Sequence, residues 1–143
     1  MVRVTFTCCI KNRFPAFQQE ATINAIRDCL RRSLLRHNAK NWVYVFMPNH
    51  FHCILEGAMD SSDLLTAIYS FKTSSGMWLR YHRPKVKWQK DFYDHIHRAD
   101  ADLTEHISYI IANPVRDGLV ADWLEYPFTG SLDYKLREIA MPW

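Results

Sequence analysis

A very short connection between two strand-like segments is the feature that most constrains the fold of this chain. Residues 42–46 and 50–56 are rich in β-branched and aromatic residues, and only Met47-Pro48-Asn49 separates them. Proline followed by asparagine is a turn signal, so the two segments are predicted to pair as a β-hairpin. Strands joined by so short a turn run antiparallel, and we therefore expect an antiparallel sheet at the centre of the fold.

Strand-like and helix-like segments alternate on both sides of this hairpin. Residues 2–10 are predicted to form the first strand, and a further strand or hairpin is expected within residues 86–98. Residues 22 to about 37 and 61 to about 81 have the apolar spacing of amphipathic helices. Their predicted buried residues are Ile23, Ile26, Leu30 and Leu34 in the first helix, and Leu64, Ile68, Phe71, Ser75 and Leu79 in the second. This β-α-β-β-α-β order predicts an α+β, ferredoxin-like antiparallel sheet with helices on one face.

An extra C-terminal helix is predicted from residue 103 to about Pro114. Asp102 is a suitable N-cap residue with Glu105 as its capping-box partner, and the proline disfavours helical geometry in the residue before it. The apolar stripe that faces the core consists of Leu103, Ile107, Ile110 and Ile111. Tyr109 lies roughly 145° from the centre of that stripe, and Asn113, one turn later, lies within about 40° of Tyr109. The tyrosine and the asparagine are thus expected on one polar side of the helix.

Two histidines, His50 and His52, flank a single residue in the second strand of the hairpin. Alternate residues of a strand point to the same face, roughly 6.5 to 7 Å apart, so both imidazoles can lean towards one metal ion. The alternative is a pair of sheet-face histidines with ordinary hydrogen bonds. His95-Ile96-His97 repeats the spacing, and a four-nitrogen zinc site built from both pairs is a further alternative.

Several motifs together resemble those of the HUH single-tyrosine transposases, and most closely their repeat-associated tyrosine branch. They are Met47-Pro48-Asn49-His50-Phe51-His52, Trp88-Gln89-Lys90-Asp91-Phe92-Tyr93-Asp94-His95, Tyr109-Ile110-Ile111-Ala112-Asn113-Pro114-Val115-Arg116-Asp117-Gly118-Leu119-Val120 and Tyr126-Pro127-Phe128-Thr129-Gly130-Ser131. The resemblance covers most of the chain and implies that Tyr109 attacks single-stranded DNA. The implied ligands of a divalent metal, Mg²⁺ or Mn²⁺, are His50, His52 and Asn113. Some members have glutamine in place of Asn113, and Asp117 stands where relatives often have a small residue.

The implied reaction requires help for its tyrosine nucleophile. At neutral pH only about one phenol in a thousand is ionised, so ionising the tyrosine costs a free energy of roughly 4 kcal/mol. A metal on the scissile phosphate would neutralise developing charge and orient the phosphorus. The expected product is a 5′-phosphotyrosine with a free 3′-hydroxyl, so a second 3′-hydroxyl can reverse the step and join new DNA. His106 could accept the phenol proton; the alternative is an ordinary exposed helical histidine.

The net charge of +3 is only mildly basic and does not by itself indicate nucleic-acid binding. Basic residues are concentrated on and near the first two predicted helices, and aromatic residues lie among those that follow the second, a combination that holds single strands. Arg116 and Lys72 are the predicted DNA contacts. The expected partner is single-stranded or hairpin DNA, and the expected function is DNA cleavage and strand transfer by a transposase. The alternative is a non-transposing protein of the same fold that binds DNA hairpins.

Length and composition predict one domain, residues 1–143, with nearly half of its residues hydrophobic. The sequence has no apolar segment of about 20 residues and no signal-peptide pattern, so a cytoplasmic protein without a membrane anchor is expected. Cys8, Cys9, Cys29 and Cys53 form no Cys-x-x-Cys pair and are predicted to be reduced thiols. Some members of the resembling family act as homodimers and others as monomers, so both states stay open.

Overall fold

The computed structural model describes residues 2–98 and 101–140. The described residues form a sheet of five strands, which are β1 (Arg3–Cys9), β2 (Ala39–Met47), β3 (His50–Gly57), β4 (Tyr93–His97) and β5 (Thr129–Gly130). The helices are α1 (Glu20–Arg36), α2 (Leu64–His82), α3 (Leu103–Ile111), α4 (Asn113–Arg116) and α5 (Leu136–Ala140), with short 3₁₀ helices at Lys11–Arg13 and Trp123–Glu125. Neighbouring strands are antiparallel, in the order β4-β1-β3-β2-β5. The first four strands therefore have the ferredoxin-like order that the sequence predicts.

Helices α1 and α2 cover one face of the sheet. Phe6 of β1, Phe46 of β2 and Phe51 of β3 are fully buried beneath them. All nine residues predicted to face the core from these two helices are buried, so the predicted periodicity is confirmed. Ser75 is accommodated in this apolar core because its hydroxyl donates to the carbonyl of Phe71 and accepts from Trp88 Nε1.

Helix α3 covers part of the opposite face, and it is the extra helix that the sequence predicts. This second core includes Val43, Val45, Met47 and Ile54 from the sheet and Ile107, Ile110 and Ile111 from the helix. The Asp102 carboxylate accepts from the backbone N–H groups of Thr104 and Glu105, which confirms the predicted N-cap. Because α3 lies over β2 and β3, the neighbouring surface of β1 and β4 opens onto a cleft.

Two boundaries in the middle of the chain differ from the predicted ones. Helix α2 begins at Leu64 rather than residue 61, because the Asp63 carboxylate caps it by accepting from the N–H of Thr66. The strand expected within residues 86–98 is the short β4. The segment before β4 joins the first strand region at an isolated bridge between Ile10 and Trp88.

The chain after α3 contains structure that the sequence patterns did not reveal. Pro114 does not stop helical geometry completely: α3 ends at Ile111, and the proline sits in the first turn of α4, where it removes no helical hydrogen bond. The two-residue strand β5 and the short helix α5 were not predicted, because neither is long enough to show a hydrophobic period.

All four cysteines are free, as predicted, and three of them are buried. Burial raises the pKa of Cys8 to about 12, so this thiol stays protonated and acts as a small apolar packing residue. Within the described part of the chain, no helix combines the length and the hydrophobicity needed to cross a membrane.

Candidate active site

A cleft of about 340 Å³ lies on the sheet face opposite α1 and α2. Its lining comes from β1, β3 and β4 on one side and from α3 and the start of α4 on the other. His52, Tyr109 and Asn113 all line it, and His50 is the next residue of β3 on the same face. A larger cavity of about 520 Å³ beside α5 is lined by no histidine. The smaller cleft therefore brings together three of the four residues that the sequence predicts for catalysis and metal binding, with His50 beside them.

His50 and His52 point to the same face, as their spacing predicts. Their ring centres are 4.7 Å apart and the ring planes are nearly perpendicular. His52 Nδ1 forms a hydrogen bond of 2.9 Å with the hydroxyl of Thr7, and His50 Nδ1 donates to the Asn49 amide oxygen at 2.7 Å. No described residue hydrogen bonds to Nε2 of either ring. Metal-binding histidines are held by such second hydrogen bonds, so the pair is suited to present two Nε2 atoms to one ion.

Both histidines favour the neutral form. Burial lowers the pKa of His52 to about 4, and the neighbouring His50 and Arg116 act in the same direction. Burial also lowers the pKa of His50, although the carboxylate of Asp117 opposes that shift. A neutral imidazole has the free lone pair that a metal requires, so protons do not compete for these rings near neutral pH.

Tyr109 and Asn113 lie on the polar side of the helix, one turn apart. The Tyr109 side chain is 67% exposed, while its neighbour Ile110 is buried. The Asn113 amide nitrogen donates to the carbonyl of Ile110 at 2.9 Å, and its oxygen accepts from Arg116 at 2.8 Å. The amide thus bonds to the end of α3 and at the same time lines the cleft.

The two predicted DNA contacts are both engaged within the protein. Arg116 donates to the carbonyl of Tyr109 and to the amide of Asn113, and its guanidinium lies over the Tyr109 ring. The ammonium of Lys72 donates to three backbone carbonyls, those of residues 89, 90 and 91. These contacts give both cations a structural role, and their contact with DNA stays a prediction.

Two threonines that the sequence patterns did not assign to the site complete the cleft. Thr5 and Thr7 lie on the floor, where Thr7 pairs with His52 and Thr5 hydrogen bonds to Nε2 of His97. The ring of His97 is 4.0 Å from that of His106, and burial together with this neighbour lowers the pKa of His97 to about 4. The alternation of β1 indicates that its threonines share a face, but only the strand register shows which histidines they meet.

The four-nitrogen zinc alternative is not formed. Among residues 2–98 and 101–140, no group of three or more His, Cys, Asp and Glu side chains is arranged to hold a metal ion. Within the second histidine pair, His97 instead hydrogen bonds to Thr5, and its ring lies 4.0 Å from that of His106 at a tilt of 42°. The predicted site of His50, His52 and Asn113 differs from that alternative in using an amide oxygen, and it stays a prediction.

The fold and the cleft define an α+β protein of ferredoxin-like sheet order, in which an added helix brings a tyrosine to two histidines of the central strand. Residues 2–110 match the model of the IS200-like transposases, which accounts for most of the chain. The chain therefore belongs to the IS200-like transposase family, and the family resemblance of its motifs is confirmed.

Individual relatives agree with this assignment. The chain is 23% identical over 135 residues to a Haemophilus influenzae protein provisionally named a REP-associated tyrosine transposase, covering 87% of this chain and 76% of that protein. It is 33% identical over 90 residues to the REP-associated tyrosine transposase of Escherichia coli, covering 60% of this chain and 50% of that protein.

Solved structures confirm the fold. A REP-associated tyrosine transposase bound to a REP hairpin matches with a TM-score of 0.77 at 23% identity, over 89% of this chain and 74% of that chain. A Deinococcus radiodurans protein provisionally described as a transposase matches with a TM-score of 0.57 at 15% identity, over 80% of this chain and 88% of that chain.

Proposed function

We propose that this protein cleaves and rejoins single-stranded or hairpin-forming DNA through Tyr109. The observation that carries the proposal is one cleft that contains Tyr109, His52 and Asn113, with His50 beside them. In the proposed step the phenol oxygen forms a bond to phosphorus, and the bond from phosphorus to the 3′-oxygen breaks. The phenol proton passes to solvent, and the departing 3′-oxygen takes up a proton. The protein then holds a 5′-phosphotyrosine, and the other strand end leaves as a free 3′-hydroxyl.

The residues present fit a divalent metal such as Mg²⁺ or Mn²⁺. The Nε2 atoms of His50 and His52 have no protein partner among the described residues, and both rings favour the neutral form. The Asn113 oxygen accepts one hydrogen bond from Arg116 and retains a second lone pair. When bound there, the metal would neutralise negative charge on the scissile phosphate.

The protein's own residues position the nucleophile. Ile107, Ile110 and Ile111 bury one side of α3, which fixes the direction in which Tyr109 leaves the helix. The exposed phenol lies at the mouth of the cleft, where a strand arriving from solvent can reach it. Holding the attacking group in one place lowers the entropic part of the barrier.

Denaturing gels test this proposal directly. The protein is mixed with oligonucleotides that contain hairpins from its own flanking DNA, with Mg²⁺ or Mn²⁺, and a covalent protein–DNA adduct is expected. Tyr109→Phe should abolish the adduct, while hairpin affinity stays within a small factor. His50→Ala should also abolish the metal-dependent adduct. Tyr81→Phe is the matched control, since Tyr81 is 78% exposed on α2, outside the cleft.

Two results would contradict the proposal. An adduct that survives Tyr109→Phe would exclude this nucleophile. Tight hairpin binding with no adduct from the unchanged protein, under any metal tested, would favour the non-transposing DNA-hairpin-binding protein instead.

A further inference from the structure

We propose that the carboxylate of Asp117 belongs to the divalent-metal site and accepts a hydrogen bond from a water molecule bound to the metal. Asp117 lies outside the ligand set that the family resemblance implies. The inference rests on the proposed function, because it adds a positioning residue to the proposed site of His50, His52 and Asn113.

The proposed ligand set carries no negative charge of its own. The rings of His50 and His52 favour the neutral form, and the Asn113 side chain is an uncharged amide. The Asn113 oxygen also accepts from the Arg116 guanidinium at 2.8 Å, which adds a cation beside the site. Mg²⁺ and Mn²⁺ are hard ions that proteins usually hold through at least one carboxylate. An anionic group close to these ligands would therefore strengthen metal binding.

Asp117 continues the polar side of the helix that carries Tyr109 and Asn113. The three residues are spaced four apart, and at about 100° per residue Asp117 lies about 40° from Asn113. Ala112, at the boundary between α3 and α4, keeps a right-handed helical conformation with φ −78° and ψ −11°. The N–H of Asp117 donates to the carbonyl of Asn113 at 3.0 Å. Asp117 thus lies one turn beyond the proposed third ligand, on the same side of the helix.

The end of α4 holds the backbone of Asp117 in place. Gly118 follows it with φ +74°, a left-handed conformation that favours glycine. The N–H of Gly118 donates to the carbonyl of Val115 at 3.0 Å. The N–H of Leu119 donates to the carbonyl of Pro114 at 2.9 Å. These two bonds form a Schellman motif that closes the helix, so the backbone at Asp117 needs no reordering when a metal binds.

Asp117 lies near enough to the histidine pair to act on it. Burial lowers the pKa of His50, and the negative charge of Asp117 opposes that shift. Burial also lowers the pKa of His52, and there His50 and the positive charge of Arg116 add to the shift. The two rings thus have charges of opposite sign beside them. A metal ion held by both rings would be repelled by Arg116 and attracted by Asp117.

Helix capping and pairing within the protein do not account for an acid at this position. Asp117 is exposed, and its side chain forms no ion pair with any cation of residues 2–98 and 101–140. A carboxylate at the C-terminal end of a helix is unfavourable, because it repels the partial negative charge of the last carbonyls. A bound cation would remove that repulsion.

The proposed contact with the metal is made through water. His50, His52 and Asp117 do not form a cluster arranged to hold an ion directly, which holds for every group of three such side chains in the described part of the chain. Mg²⁺ keeps several of its water molecules in protein sites. A carboxylate beside the site can accept a hydrogen bond from such a water and orient it.

The same charge would couple metal binding to DNA binding. Without the metal, the Asp117 carboxylate repels a phosphate that approaches the histidines. With the metal in place, its positive charge outweighs that repulsion. Removal of the carboxylate should therefore weaken metal binding and strengthen DNA binding to the metal-free protein.

The test measures Mn²⁺ affinity without DNA, from the EPR signal of the free aqueous ion during a titration of the full chain. Asp117→Asn keeps the size of the side chain and removes its charge, and it should raise the Mn²⁺ dissociation constant by about tenfold. Asp117→Glu keeps a carboxylate and should recover part of the affinity. His50→Ala removes a proposed ligand and should weaken binding further.

A second measurement excludes a merely structural effect. Fluorescence anisotropy in EDTA compares the affinities of the variants for a single-stranded oligonucleotide. Asp117→Asn should bind it more tightly than the unchanged protein, by about threefold, a gain that a damaged fold would not produce. Asp60→Asn is the matched control, because Asp60 is exposed in the loop after β3, at the end of that strand opposite His50. It should change neither affinity.

Three outcomes would overturn the inference: unchanged Mn²⁺ affinity in Asp117→Asn, an equal loss in Asp60→Asn, or no gain of DNA affinity in EDTA. Failure of the proposed function is distinguishable from these, because the Tyr109 adduct would then be missing while Mn²⁺ affinity still depends on Asp117.

Discussion

The guanidinium carbon of Arg116 lies 4.2 Å from the centre of the Tyr109 ring, and Arg116 also donates to the Tyr109 carbonyl at 2.9 Å. Its other terminal nitrogen donates to the amide oxygen of Asn113 at 2.8 Å. One cation therefore contacts both the proposed nucleophile and the proposed third metal ligand. Stacking on an aromatic face and a forked pattern of donors are properties that arginine has and lysine lacks.

Arg116→Ala is expected to slow adduct formation by about tenfold to a hundredfold, because both the phenol and the amide lose a fixed contact. Arg116→Lys should recover only part of the rate. Single-turnover adduct formation measures the rate, and anisotropy measures DNA affinity separately. A variant that loses affinity but keeps its rate would instead support the predicted contact of Arg116 with phosphate.

Thr7→Val is expected to raise the Mn²⁺ concentration needed for adduct formation by about tenfold, because His52 loses the hydrogen bond that orients its ring. The maximal rate at saturating Mn²⁺ should change less. Thr73→Val, at an exposed position of α2, is the matched control. Equal Mn²⁺ dependence in the two variants would show that Thr7 does not support a metal ligand.

The free energy of unfolding is expected to fall as the pH decreases from 6.5 to 4. The folded protein holds the pKa of His97 at about 4 instead of 6.5, so the unfolded chain binds more protons across that interval. The full effect is about 3 kcal/mol for this residue. Urea titrations at several pH values measure it.

His97→Gln should make that pH dependence shallower, and His82→Gln, at an exposed position, should not. If His97→Gln unfolds with the same pH dependence as the unchanged protein, another group is responsible.

Lys72→Met is expected to lower the free energy of unfolding by about 1 kcal/mol, because three carbonyls lose their donor. Hairpin affinity should stay within a small factor, because these carbonyls occupy the ammonium in the folded protein. Chemical denaturation and anisotropy measure the two effects. Unchanged stability with a loss of affinity would indicate the direct DNA contact that the sequence predicts for Lys72.

Local periodicity predicts the faces on which the proposed ligands and nucleophile lie, whereas their roles come from the family resemblance. His50 and His52 share a face because a strand alternates, and Tyr109 is exposed because the apolar stripe of α3 occupies the other side of the helix. Both patterns are complete within about ten residues. The sequence therefore identifies these side chains before any tertiary contact is known.

Contacts between distant segments could not be predicted in this way. Thr7 meets His52 only because β1 and β3 pair in one register, and His97 meets His106 only because α3 folds back over the sheet. Gly130 gives a further example: an added Cβ would lie 2.6 Å from the Tyr44 hydroxyl oxygen, so any other residue there would require the Tyr44 side chain to move. None of these relationships leaves a periodic signal.

The alternation of β3 has a consequence for how this protein can vary. Phe51 and Cys53 pack under α1 and α2, while His50 and His52 face the other way. Insertion or deletion of one residue within the strand would turn the histidines into the core and the phenylalanine out to solvent. Stability and the proposed chemistry thus depend on the same strand register in β3. Insertions and deletions are tolerable only in the loops outside the strand.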